Sequence, residues 1–283
     1  MIKETLFKSH GSPTLSIDES LPARHFLKSW KASLPAASVS SLRPVETEFV
    51  GLGVDLEFFW RRGGRSAMEK KVRLRLANSR EGGDQRGEEG GAGFWGCVWR
   101  TKKKVVGLKY PAPGAPQLAK RVKELFVRSG LDHGAWVPLM LMYPEAQIPV
   151  CQLSVQTQRD ATYHYNLGRA LAPLKDEGVL IIGSGSATHN LRAIRLTDGS
   201  LVPWAVDFDN WLRHALEERR YEDVNNYLEK VPSAKMAHPR PDHFYSLHLA
   251  IGAAGDQAKA KFIHQSWSFG SPSYSSYQFT STN

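Results

Sequence analysis

Ten histidines are spread through the 283 residues, and four stand among turn-forming residues: His10 follows a short apolar run, His133 lies between Asp132 and Gly134, His189 comes after Gly183-Ser184-Gly185, and His243 follows Pro241-Asp242. Neutral imidazole is the commonest protein ligand for iron, zinc and copper. Two or three imidazoles with a carboxylate and open coordination positions suit oxygen-activating Fe(II). Each of these histidines taken singly is better accounted for as a hydrogen-bonded loop residue, and spacing alone does not assemble them into a site.

The elements that would position them follow from periodicity. Residues 3 to 8 read as a strand running into the Ser9–Pro13 loop, and a helix begins near Ser20, with Pro22 in its first turn and Ala23, Phe26, Leu27 and Trp30 at helical spacing. Gln117–Arg128 carries Leu118, Val122, Leu125 and Phe126 on one helical face, Ile148–Val155 is a strand candidate, and a helix follows from Ala161 to Leu174. Val179-Leu180-Ile181-Ile182 between Gly178 and Gly183 has the pattern of a strand buried on both faces. Further on, a strand is expected near Leu201–Val206, helices over Asp207–Arg219 and Tyr221–Lys230, and a surface tail from Ser268 to Asn283. Alternating strands and helices predict an α/β fold: one domain over residues 1–283, with a central, mostly parallel sheet flanked by helices. Residues just beyond strand ends line the ligand crevice of such a sheet, which places His10 and His189 there.

One stretch departs from this order. Between residues 61 and 104 there are thirteen Lys/Arg against five Asp/Glu, and nine of the 24 glycines. The segment from about 44 to 105 therefore reads as a poorly packed insertion, short of the apolar surface needed to offset its ordering entropy. Residues 61–104 alone hold +8 of the net charge of +9, so the rest of the chain is near neutral. No helix-turn-helix or base-stacking sheet is legible that would present the basic segment to phosphates, so no nucleic-acid partner is expected. Nor is a membrane: no run of eighteen apolar residues occurs, and Met1-Ile2-Lys3-Glu4 leads into no signal-peptide core. Two cysteines, Cys97 and Cys151, are too few for a disulfide framework, and a cytoplasmic setting is expected. Cys151, in an apolar strand candidate, reads as core rather than nucleophile.

Other chemistries find little support. Asp207 and Asp209 are close enough to suggest paired carboxylates, but Asp207 before a helix is more simply its N-cap. Gly183-Ser184-Gly185-Ser186 lacks the Lys-Ser/Thr of a phosphate loop and the second glycine of a nucleophile elbow. No HExxH arrangement is present for a zinc hydrolase.

Taken together, Ser9-His10-Gly11-Ser12-Pro13, Leu131–Leu139 (LDHGAWVPL), Gly183–Leu191 (GSGSATHNL) and Pro239–Phe244 (PRPDHF) resemble, in order, four signature segments of the class III extradiol ring-cleavage dioxygenases, in their plant DOPA-dioxygenase branch. The resemblance spans about residues 1–42 and 107–283. It implies an α/β fold around one divalent metal, Fe(II) for catalysis or zinc in the same site. On that resemblance His10, His189 and His243 are metal ligands, His133 is a catalytic residue that hydrogen-bonds substrate or oxygen, and His189 has proton transfer as a rival role. The implied partners are a catechol such as L-DOPA and O2, and the product a 4,5-seco-DOPA aldehyde.

The family pattern also supplies a histidine in a Ser-x-His-Trp segment after the second strand, and here no histidine occurs between His25 and His133. Asp55 or Glu57 would in principle substitute as an oxygen ligand, but an unplanned carboxylate rarely meets ligand geometry, which argues against it. The alternative is a catalytically impaired paralogue, or a product whose residues 44–105 come from a mis-joined reading frame. After His189, Asn190–Ile194 resembles the general plant form rather than the pigment-specialised one.

Overall fold

The structure is a computed structural model that describes residues 2–30, 49–53, 131–146, 148, 150–195 and 200–282. Six strands form one sheet: β1 (Glu4–Ser9), β2 (Phe49–Gly53), β3 (Val150–Ser154), β4 (Leu180–Gly185), β5 (Lys259–His264) and β6 (Ser276–Thr280), in the order β3-β2-β4-β1-β6-β5. The sheet is mixed. β3, β2, β4 and β1 run parallel, and β6 is antiparallel to both β1 and β5.

Every residue of β1 and β4 is buried, as expected for interior strands covered on both faces. Alternation divides their side chains. Leu6, Leu180 and Ile182 pack on one side with helix α1 (Pro22–Lys28) and helix α2 (His133–Met142), while Phe7 and Ile181 face the opposite layer. That layer holds α3 (Ala161–Leu171), α4 (Pro203–Glu217) and α5 (Asp242–Ala254).

Several sequence expectations change. The insertion-like segment supplies β2, an interior strand that pairs with β3 and β4, whereas composition reads 44–105 as unpacked. Leu201–Val206 is not a strand: Pro203 opens α4, whose buried positions 205, 208, 209, 212, 215 and 216 keep helical period. Asp207 accordingly lies exposed inside that helix and is not its N-cap, which is Val202. Ser268–Asn283 is not a surface tail, because Tyr277 and Phe279 of β6 are fully buried beside β1. Helix α3 ends at Leu171 and passes into a 3-10 turn at Ala172–Lys175, where Pro173 has no N–H to continue an α-helix. The expected helix over Gln117–Arg128 lies outside the described residues.

Candidate functional site: four imidazoles at the carboxyl end of the sheet

His10 is the first residue past β1, and its backbone N–H donates to the Gly185 carbonyl at 3.0 Å, extending the β1–β4 pairing by one step. Its ring is buried. Nδ1 lies 3.1 Å from Ser184 Oγ, and Nε2 is buried without a hydrogen-bond partner among the described residues.

His133 is the first residue of α2, not a loop residue. Asp132 caps that helix, its Oδ1 accepting from the His133 backbone N–H at 2.6 Å and standing 2.8 Å from His133 Nδ1. The backbone N–H of Asp132 donates to Gln152 Oε1 of β3 at 2.8 Å, which fixes the cap to the sheet. Burial pushes the Asp132 carboxyl up, but the hydrogen bond and charge of His133, with the backbone N–H groups of His133 and Gly134, hold it below its ordinary value. It stays a carboxylate, so His133 keeps its proton on Nδ1 and offers Nε2 as a base. About a third of the His133 side chain is solvent-exposed, against 14% for His243.

His243 is likewise in a first turn, that of α5. Its carbonyl accepts from the Ser186 backbone N–H at 3.0 Å, and Asp242 Oδ1 stands 3.5 Å from its Nδ1. His189 is held by its backbone N–H, which donates to Ala237 O at 2.9 Å. Next to it, His238 Nε2 donates to Ala187 O at 2.9 Å and Asn190 Nδ2 donates to Met236 O at 2.7 Å. Segment 236–238 thus staples the loop that carries His189.

The four rings form one continuous cluster. His10 meets His133 edge-on at 5.3 Å between centroids, His10 and His243 are 5.4 Å apart, and His243 stacks on His189 at 3.6 Å and 12°. Burial is the main cause that pushes the His10 imidazole well below its ordinary value, and the charges of His133, His243 and His189 add to it. Burial, then the neighbouring His243, takes His189 down to about 3. Both rings are therefore neutral near pH 7 and present lone pairs, the form that binds metal.

These residues fit a divalent metal in donor type, in neutrality and in the unpartnered Nε2 of His10. The stacked pair fits less closely: two rings 3.6 Å apart and 12° from parallel do not aim their in-plane lone pairs at one point. Among the described residues no group of three or more His, Cys, Asp or Glu is arranged to hold a metal as it stands. Asp55 and Glu57, the candidate substitutes after β2, lie outside the described residues.

Residues 101–280 match the family model described as the catalytic LigB subunit of aromatic ring-opening dioxygenase. The chain belongs to this family. It is 45% identical to a 4,5-DOPA dioxygenase extradiol of Beta vulgaris, over 99% of this chain and 98% of the relative. To the protein of the same name from Portulaca grandiflora it is 43% identical, over 99% and 96%. These matches span more than the two stretches on which the motifs sit. The crystal structure of an uncharacterized Escherichia coli K12 protein shares the fold, with a TM-score of 0.66 over 98% of this chain and 99% of that one, at 24% identity.

All four sequence-identified histidines are brought together. Sequence reasoning missed the partners that orient them, Ser184 on His10 and Asp132 on His133. Asp132 was open to recognition as an Asx cap directly before a helical run. The Ser184 contact needs β4 to pair with β1, a relation between segments 174 positions apart, and nothing local announces it.

Proposed function

We propose that this protein is a non-haem, metal-dependent extradiol dioxygenase that opens the ring of a catechol, with L-DOPA as the substrate to test first. One observation carries the reading: four imidazoles from four different elements meet at the carboxyl end of the parallel strands, two of them held neutral by burial. The names of the plant relatives support the substrate.

His10, His189 and His243 are the residues that would hold the ion, Fe(II) for catalysis or zinc in the same site. The metal, when bound, supplies the point where the catechol oxygens and O2 meet. The protein's own part is proton handling and orientation. His133 Nε2, with Nδ1–H tied to the Asp132 carboxylate, is the base that takes a catechol hydroxyl proton, and Asp132 steadies the imidazolium that results. His189 is the alternative proton carrier. Burial of His10 excludes water from one side of the cluster. The partners on this reading are a small catechol and O2, with the 4,5-seco aldehyde as product.

The test is anaerobic Fe(II) reconstitution, metal analysis and oxygen uptake on adding L-DOPA. Oxygen consumed one for one with substrate, with a yellow ring-opened product, supports the reading. A folded, metal-loaded protein that consumes none overturns it. Two variants separate the roles: His133→Ala should keep the metal and lose roughly 10²–10⁴-fold in turnover, whereas His243→Ala should lose the metal itself.

A further inference from the structure

We infer that Ser184 is a positioning residue that fixes the tautomer of His10, directing the proton to Nδ1 and leaving the Nε2 lone pair free. The inference rests on the reading of His10 as a metal ligand only for its consequence, not for its geometry. Ser184 Oγ lies 2.5 Å from the Gly134 carbonyl oxygen and 3.1 Å from His10 Nδ1. A carbonyl has no proton, so two oxygens this close must share the single proton of the hydroxyl. Ser184 therefore donates to Gly134 and has only lone pairs left for His10. The hydrogen between Ser184 and His10 must then come from Nδ1, and a neutral imidazole carrying its proton there has an unprotonated Nε2.

The surroundings enforce the arrangement. Ser184 and His10 are both buried, so water does not compete for either atom. A Cβ on Gly134 would stand 3.0 Å from His10 Cε1 and 3.2 Å from its Nδ1, so the first turn of α2 lies against the ring and limits its rotation. His10 Nε2 has no hydrogen-bond partner among the described residues, although burial without one is costly. A buried lone pair with nothing to accept from is what a ligand nitrogen looks like when its other nitrogen is anchored.

The test begins on metal-free protein, where ¹⁵N-imidazole NMR reads the tautomer directly, with the His10 signals assigned by their loss in His10→Asn. Wild type should show His10 protonated on Nδ1, and Ser184→Ala should shift it toward the Nε2–H form or a mixture. A wild-type Nε2–H tautomer, or an unchanged Ser184→Ala spectrum, overturns the inference whatever the metal does. Zinc affinity, measured by chelator competition, should then fall about 10–100-fold in Ser184→Ala, and by less in Ser184→Cys, whose thiol is a weaker donor and acceptor. If Ser184→Ala fails to fold, Ser184→Cys carries both measurements. Wild type that binds zinc no more tightly than Ser184→Ala would overturn the proposed consequence. Wild type with the Nδ1–H tautomer but no zinc affinity would leave Ser184 in its role and count against the metal reading.

Discussion

Replacing Gly185 by alanine should disable the site while leaving the fold in place. Gly185 ends β4, and its carbonyl accepts the backbone N–H of His10. A Cβ there would fall about 1 Å inside the 3.0 Å limit of real Cβ contacts to the His243 carbonyl oxygen, and would also crowd Ser246 Oγ. The obstacle is backbone, so the first turn of α5 must retreat from β4 by about that amount, taking His243 with it and straining the strand end that holds His10. A displacement near 1 Å at reacting groups costs on the order of 10²-fold in rate. Overpacking of this kind costs about 1–3 kcal/mol of stability. Gly252→Ala is the matched control. Its Cβ would overlap the Tyr165 carbonyl to the same extent, but nine residues further along α5, roughly 13 Å from His243. Oxygen uptake per folded molecule, with urea melts of both variants, checks the argument: similar losses of stability, a 10²-fold loss of turnover in Gly185→Ala and less than tenfold in Gly252→Ala. Wild-type turnover in Gly185→Ala, or equal damage in both, would refute the idea that this glycine sets the position of His243.

Two further outcomes follow from buried groups outside the chemistry. Lys8 is fully buried with its Nζ 3.3 Å from the Trp30 ring centroid and 4.0 Å from that of Phe26, and it has no hydrogen-bond partner among the described residues. Burial lowers its amine well below the ordinary lysine value, so the unfolded chain binds the proton more tightly, and folding near pH 7 must bury a charge or shed a proton. Lys8→Met should therefore raise the melting temperature, by about 1–3 kcal/mol of stability, and a lower melting temperature would show that the ring contacts outweigh desolvation. In the metal-free protein, burial is the main cause that takes His238 down to about 3 and His248 down to about 4. Between those values and the ordinary histidine value near 6.5 the unfolded chain holds more protons than the folded one. Stability from these two groups is therefore complete above about pH 6.5 and is lost as pH falls toward 4 and 3, on the order of 2 kcal/mol each by pH 5. Urea melts at pH 7 and pH 5 measure it, and a flat profile would mean that the two rings are reached by water.

What the sequence made legible was local. β1 and β4 announce themselves by apolar runs, and His10 and His189 follow those runs closely, whereas His133 and His243 stand in the first turns of helices after an aspartate. β2 does not, because Phe49–Gly53 is five residues long and precedes a Gly/Arg-rich stretch. Only its pairing with β3 and β4, a tertiary fact, defines it. β6 hides for a related reason. Its serine-rich approach looks like solvated tail, yet Ser273 and Ser275 donate at 2.8 Å to Asp209 of α4, and Gln265 donates to the same carboxylate at 2.6 Å. A buried carboxylate with three donors turns polar residues into an anchor, and composition has no means of locating that carboxylate in advance.

The same division explains the site. Residue types capable of chemistry are visible in a sequence, whereas the relations that make them usable are visible only where distant segments touch. His10 is conspicuous; its tautomer depends on Ser184, 174 positions away, and on a carbonyl of α2. The missing histidine after β2 belongs to this argument too. Leu52 pairs with Gly183, one residue before Ser184, so β2 runs directly toward the level of the imidazoles. Asp55 and Glu57, the candidate substitutes that follow it in the sequence, lie outside the described residues. Non-haem iron sites with open positions are held by as few as three protein ligands. The loss of that histidine therefore bears on how tightly the metal is held more than on whether the chemistry is open to this fold.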